Sequence, residues 1–373
     1  MHIPLFRMPV GKDTLRLAHN AVKDGFWSGG SGASQEELRS LISKYTKKKY
    51  VTLVNSGTAA CRAALFATIG WERKSTSNLR SVLTTSYSCA ANLLPIIEMG
   101  AVPWFADIEL DTFGMIADRM TATVGAVPSA IFLVHIYGER CRDADKFLEY
   151  SHELMVPVIE DFSECMGMTF DDLPTGDIIV ASLRAEKLWG CGEGGFVATN
   201  DEGYHTLITQ FCNRGKPTLA NPYWYTTYGD NVMMPGITAA VALGQHEILR
   251  KHVAGKRRVA LWYRASRVFQ EVGIWQALAK GGVAWLNCLM LNPSTQITAA
   301  DLAKALRADG VETRPAFYPL QCYAKNLGVG WIGSTGENAK ALHRNGIVLP
   351  SPYDLTKDEF RYIESCIRRY LKV

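Results

Sequence analysis

The stretch "DIIVASLRAEKLWGCGEGGFVATN", Asp177 to Asn200, sets one lysine, Lys187, between two short apolar runs, "DIIVASL" and "GFVATN". In both runs the apolar residues are consecutive, not alternating, which predicts strands covered on both faces. The glycines that follow Lys187, at 190, 192, 194 and 195, let the chain turn tightly between the two strands. Lys187 is then either a loop lysine in solvent or an amine held beyond a strand end for chemistry.

Working outward, the same kind of run recurs at "YVTLVN" from Tyr50, "SVLTT" from Ser81, "VPWFAD" from Val102, "AIFLVHIYG" from Ala130 and "VPVIED" from Val156. Helical patterns such as "GTAACRAALFATIG" (Gly57 to Gly70) and "ADKFLEYSHEL" (Ala144 to Leu154) lie between them. Seven buried strands alternating with helices predict an α/β fold built on a large, mainly parallel sheet. In such sheets ligands bind beyond the carboxyl ends of the strands. Near Ile237 the pattern changes. "GITAAVALGQHEILRKHVAGKRRVALWYRASRVFQEVG" reads as a long helix or a kinked pair bridging to a smaller C-terminal α/β domain. That unit would hold the strand "AWLNCLMLN", the helix "ITAADLAKALRADG", the segment "VETRPAFYPL" and a last helix "TKDEFRYIESCIRRYL". The expected division is a large domain over 1–245 and a small one over 246–373, with the N-terminal segment free to pack on the latter.

Composition narrows the function classes. A net charge of +4, from 40 basic and 36 acidic side chains, gives no basic face for nucleic acid. The basic run "SKYTKKKY" from Ser43 closes a helical pattern, where it complements the helix dipole. Nine cysteines without a CxxC pair read as reduced thiols of a cytoplasmic protein, with no metal site. The sequence shows no signal peptide and no apolar run of about 18 residues to span a membrane.

Four strand ends carry candidate chemistry. At "VNSGTAACRAAL", Gly57 and Thr58 open a helix whose free amides suit a phosphate, although an ordinary N-cap gives the same pattern. At "TTSYSCAANLLP", Tyr87 could lie flat on a planar cofactor or simply pack. At "VPVIEDFSEC", Asp161 is a buried carboxylate that needs a cationic or hydrogen-bonding partner, such as a protonated pyridine, or else caps a helix with Glu164 three residues on. At the fourth end, Ser182 precedes Lys187, and a desolvated lysine can attack a carbonyl. A phosphate cradle, an aromatic, a carboxylate and a lysine at the ends of one sheet together fit pyridoxal 5'-phosphate.

The chain resembles the DegT–DnrJ–StrS family of sugar aminotransferases. The motifs that carry the likeness are "GFWSGG", "NSGTAA", "FADIELDTFGM", "VHIYG", "VIEDFSEC", "GEGGFVATND", "GDNVMMPGITAAVALGQ", "ETRPAFYPL" and "LPSPYDLTKDEF", in family order. The resemblance implies the aspartate-aminotransferase-like fold (PLP fold type I). It matches Lys187 to the Schiff-base lysine, Asp161 to the partner of the pyridine nitrogen and Tyr87 to the stacking aromatic. Gly57, Thr58 and Ser182 match phosphate ligands, and Asn231 matches an asparagine reaching the phosphate of the neighbouring subunit, which implies a homodimer with shared active sites. Trp27, in the family's substrate loop, is a further candidate for the substrate. So, from their places in the sequence, are His135, which ends a strand and could touch substrate or the interface or be a satisfied buried histidine, and Arg314, which could reach a carboxylate or diphosphate or form a structural ion pair. Glu164 stands near the ring hydroxyl where the family has glutamine or histidine. Leu188, Met233 and Gln321 replace the usual asparagine, arginine and histidine.

The expected activity is transfer of the amino group of L-glutamate to a nucleotide-linked keto-sugar, of the 4-keto-6-deoxy kind, in amino-sugar biosynthesis for O-antigen or another polysaccharide. A cyclitol aminotransferase, a PLP-dependent sugar dehydratase and a non-catalytic regulatory protein of the same fold are the alternatives. The retained lysine argues against the dehydratase, where histidine takes its place.

Overall fold

The structure is a computed structural model and describes residues 1–25, 27–71, 80–117, 127–171, 173–217 and 223–372. Phe26 of the "GFWSGG" motif lies outside the described residues. The seven runs named above form β1 (Tyr50–Val54), β2 (Ser81–Thr85), β3 (Val102–Ala106), β4 (Ala130–Val134), β5 (Val158–Asp161), β6 (Ile178–Ser182) and β7 (Gly195–Thr199). Four more strands follow at β8 (Gly273–Trp275), β9 (Asn287–Leu291), β10 (Arg314–Pro315) and β11 (Ile332–Gly333), and a last at β12 (Gly346–Leu349).

The large sheet has the order β1-β7-β6-β5-β4-β2-β3-β11. It is parallel except at β7, which runs antiparallel to both β1 and β6. The glycine-rich turn after Lys187 therefore closes an antiparallel pair, as a direct return requires. The sheet has eight strands where the sequence predicted seven. The eighth, β11, contributes two residues beside Trp104 and Phe105 at the edge, too short a run to announce itself.

β2, β4 and β7 are buried along their whole length, in keeping with their unbroken apolar sequence. The helix Gly57–Ile69 covers one face. Its Ala59, Ala60, Ala63 and Ala64 are buried, and such small side chains let the helix axis come close to the sheet. Ser56 caps it by accepting a hydrogen bond from the Ala59 amide (3.1 Å).

The bridging stretch is neither one helix nor a pair but three, Gly236–His246, Leu249–Ala265 and Arg267–Val272. The second break falls at Ser266, whose backbone is extended (ψ 126°) and whose hydroxyl is tied to Glu364. Beyond it stands an antiparallel sheet, β10-β12-β9-β8, with Leu302, Leu306, Ile363 and Ile367 in its core. Ile3 joins that core and pairs with Val311. The last helix, Lys357–Leu371, begins with a capping box between Thr356 and Glu359.

Candidate active site

At the carboxyl ends of β4, β5 and β6 lies a cavity of about 220 Å3, lined among others by Gly57, Thr58, Asp161, Glu164, Ser182, Lys187 and Arg314. Strand order explains the convergence: β5 lies between β4 and β6, so residues distant in sequence end side by side. The opening of the helix Gly57–Ile69 points into the same space, bringing its first amides and the positive end of its dipole.

Gly57 sits so close to the end of β6 that a Cβ there would stand 2.6 Å from Ser182 Cβ. Only glycine lets the helix start approach this far, and Thr58 and Ser182 both line the cavity. The Ser182 amide donates to Ser163 Oγ (2.8 Å), fixing the ends of β5 and β6 together.

Asp161 is 5% exposed. Its Oδ2 accepts from Asn92 Nδ2 (2.7 Å) and its Oδ1 from the Ser163 amide (2.8 Å). Asn92 is itself held by Ser88, whose hydroxyl donates to Asn92 Oδ1 (2.5 Å). Both Asp161 oxygens keep capacity for a further donor.

Lys187 Nζ lies 3.1 Å from Glu164 Oε1 and 3.8 Å from the centre of the Trp285 ring. The other oxygen of Glu164 accepts from the Tyr137 amide (2.7 Å). The amine is thus neither loose on a surface loop nor buried without a partner. Glu164 does not cap a helix with Asp161; it pairs with the lysine.

The remaining predicted residues divide. Arg314 lines the cavity from β10, its guanidinium 4.9 Å from the centre of the Phe317 ring. Among the described residues it forms no ion pair. His135 is among the residues lining the cavity but is wholly buried, with Nε2 3.2 Å from Glu160 Oε1 and Nδ1 accepting from the Cys141 amide (3.1 Å). Both of its ring nitrogens are turned to protein groups, as in an interior histidine.

The expectation that Tyr87 lies flat on the cofactor is corrected. Its ring is fully buried, edge-on to Phe113, Tyr137 and Phe317, and its hydroxyl is bonded to Tyr137 Oη (2.8 Å) and the Phe317 amide (3.1 Å). Burial pushes that phenol well above its ordinary pKa. It does not line the cavity; Ser88 and Cys89 do, from the same loop. Trp27 and Asn231 are exposed and stand outside the cavity of this chain. The indole of Trp27 donates to the Val22 carbonyl (3.0 Å), and Asn231 pairs with Asn213.

Three departures from the family motifs are accounted for by packing. Leu188 is buried and its carbonyl accepts from His252 Nδ1 (2.9 Å). Met233 packs over Gly29, where a Cβ would lie 2.7 Å from Met233 Cβ. Gln321 is buried and donates to Ser86 Oγ (2.6 Å) and the Ser334 carbonyl (3.2 Å), joining the C-terminal unit to the end of β2.

The sequence did not single out Asn92, Ser163 or Trp285. Asn92 lies seven positions past the end of β2, and only the fold brings it to Asp161. The signal for Ser163 was present, two residues after a strand-end aspartate, the spacing of an Asx turn.

A buried carboxylate, a helix-start cradle and a lysine on one cavity fit pyridoxal phosphate in its three demands: a partner for the ring nitrogen, a seat for the phosphate and an amine for the aldehyde. With this sheet they define a pyridoxal-phosphate-dependent enzyme of the aspartate aminotransferase superfamily. The comparison with known families gives the particular branch. Residues 10–368 match the DegT/DnrJ/EryC1/StrS aminotransferase family, and the chain belongs to that family.

Among curated relatives, GDP-perosamine synthase of Caulobacter vibrioides is 30% identical over 80% of this chain and 80% of its own. The Vibrio cholerae protein of the same name is 24% identical over 99% of each. A DegT DnrJ EryC1 StrS aminotransferase from Brucella abortus superposes with a TM-score of 0.84, at 20% identity, over 96% of this chain and 95% of that one. An E. coli GDP-4-keto-6-deoxy-D-mannose-3-dehydratase with bound hydrated PLP reaches 0.87, at 17% identity, over 98% and 99%. These two structures show the shared fold. Among the described residues no helix is long and apolar enough to cross a membrane.

Proposed function

We propose that this chain transfers the amino group of L-glutamate to a nucleotide-linked 4-keto-6-deoxy sugar. The observation that carries the reading is the Lys187 amine in the cavity that Asp161 lines, beside the cradle made by Gly57, Thr58 and Ser182. The GDP-perosamine synthases among its relatives support the sugar class.

When bound, the cofactor supplies an aldehyde that takes up an amine and a protonated ring that accepts the electron pair set free at the donor's α-carbon. Lys187 would hold it through Nζ. Asp161 would keep the proton on the ring nitrogen, an ionic hydrogen bond in a site shielded from water. The Gly57 and Thr58 amides and the Thr58 and Ser182 hydroxyls would take the phosphate. Released by the incoming donor, Lys187 Nζ would carry the proton from the α-carbon as base and return it as acid. Glu164, bonded to Lys187 Nζ in this structure, would orient that amine and accept a hydrogen bond from it.

Arg314, which pairs with no carboxylate among the described residues, would face an anionic group of a substrate. Asn231 lies outside its own chain's cavity and would serve the site of a second subunit, in a homodimer of two-fold symmetry. A panel of nucleotide keto-sugars offered with L-glutamate tests the reading. It predicts 2-oxoglutarate and an amino sugar in equal amounts, and a deoxygenated sugar with no amine would overturn it.

A further inference from the structure

We infer that Trp285 is a positioning residue for Lys187, clamping both the lysine backbone and its amine from the segment that leads into β9; the inference rests on the function proposed above. Trp285 is 1% exposed. Its indole Nε1 donates to the carbonyl of Glu186, the residue before Lys187 (2.7 Å), while its ring face takes Lys187 Nζ at 3.8 Å. One side chain therefore grips the reactive residue at two points, from 98 positions away in the sequence. Local ties shape the lysine loop, Lys187 N to the Arg184 carbonyl (2.8 Å) and Ala185 N to the Gly192 carbonyl (2.7 Å), and two distant ones hold the residues after the lysine, His252 Nδ1 on the Leu188 carbonyl (2.9 Å) and the Trp189 indole on the Ala242 carbonyl (2.8 Å). Trp285 differs from these in holding the lysine's amine as well as the backbone just before it.

Trp285 is itself anchored. Its carbonyl accepts from Lys256 Nζ (2.9 Å). Val283 N donates to the Gly138 carbonyl (2.8 Å) and Leu286 N to the Tyr137 carbonyl (3.4 Å). Gly138 has φ +101°, and a Cβ there would stand 2.4 Å from the Trp285 amide, so the two backbones are in direct contact. The same Tyr137 donates its amide to Glu164 (2.7 Å), the second partner of the Lys187 amine. One turn, Tyr137–Gly138, thus sets the positions of both groups that hold Nζ, the carboxylate on one side and the indole face on another. The ring favours the amine electrostatically without becoming an acceptor of its proton.

The test compares holoenzyme of the wild type with Trp285→Phe, which keeps an aromatic face but loses the indole N–H, and with Trp285→Leu, which loses both. In each, borohydride trapping with peptide mapping reports the bond at Lys187. Circular dichroism in the cofactor's absorption band reports its orientation, and single turnover with L-glutamate reports rate and saturation separately. We expect all three proteins to bind cofactor and to be trapped at Lys187. The cofactor's dichroism weakens from wild type to phenylalanine to leucine. The single-turnover rate falls in the same order, by roughly a hundredfold in the leucine variant, the cost of misplacing a reacting group by about an ångström. Glutamate saturation stays near the wild-type value. Folded variants with unchanged dichroism and rate would overturn the inference, as would variants that differ only in melting temperature. Should the leucine variant fail to fold, the phenylalanine variant decides. A wild type that is not trapped at Lys187 would instead overturn the proposed function.

Discussion

Two acids and two lysines, one of each at the cavity wall and one of each in the interior, stand in opposite circumstances. Asp161 and Glu160 are successive residues of β5, so they point to opposite faces of the sheet. Asp161 faces the cavity and is held by Asn92 and the Ser163 amide. Glu160 is wholly buried, accepting from the Gly176 amide (2.6 Å) and standing beside His135. The lysines pair likewise around Trp285. Lys187 lies on its ring and has a carboxylate partner, whereas Lys256 is 1% exposed and donates to its carbonyl. Residue type does not separate a chemical group from a structural one here; access to the cavity does.

The largest effect that would sharpen this contrast is on Asp161. Asp161→Ala should lower amine transfer by about a thousandfold, in the range of a positioned proton-handling group, with the far-ultraviolet dichroism of a folded protein. Asn92→Ala, which removes one donor from that carboxylate, should slow turnover by about tenfold, the worth of one hydrogen bond to a charged group.

Glu160→Ala should do the reverse. It leaves the Gly176 amide without its acceptor inside the core, at a cost of about 1–3 kcal/mol. A melting scan would show a lower midpoint, while turnover per folded molecule is unchanged. Equal losses of turnover from Asp161→Ala and Glu160→Ala would break the comparison.

The second lysine adds a pH dependence, at Lys256. Burial pushes its ammonium down to about 7, from 10.5 in the unfolded chain. Below about pH 7 both states hold the proton and the folded state carries the full cost of burying it. Between 7 and 10.5 the unfolded chain binds more protons than the folded one, so stability rises with pH across that window. Denaturation of wild type and Lys256→Met side by side should show a rise in the wild type alone that the variant lacks.

The large sheet was legible because each strand is a short, unbroken apolar run bounded by turn residues, and a two-sided sheet needs just that pattern. β11 escaped because two residues carry no periodicity, and the three-helix stretch was read as fewer because its breaks contain neither proline nor glycine. At the site, Asp161 and Ser182 end strands and Gly57, Thr58 and Lys187 follow strand ends within a few residues, so strand ends nominated them. Tyr87 also follows a strand, but its side chain turns into the aromatic cluster with Tyr137 and Phe317. Facing direction in a loop depends on contacts that only the fold supplies. Trp285 was beyond reach for the same reason, since its link to Glu186 spans two parts of the chain that no local pattern connects.

The central claim, that chemistry resides at the lysine of the cavity and not at the one behind it, is tested most directly by reducing the yellow holoprotein with borohydride and mapping its peptides. The account predicts the reduced cofactor on the peptide containing Lys187 and an unmodified peptide containing Lys256. Label on the Lys256 peptide, or an unlabelled Lys187 peptide from protein that was yellow before reduction, would contradict it.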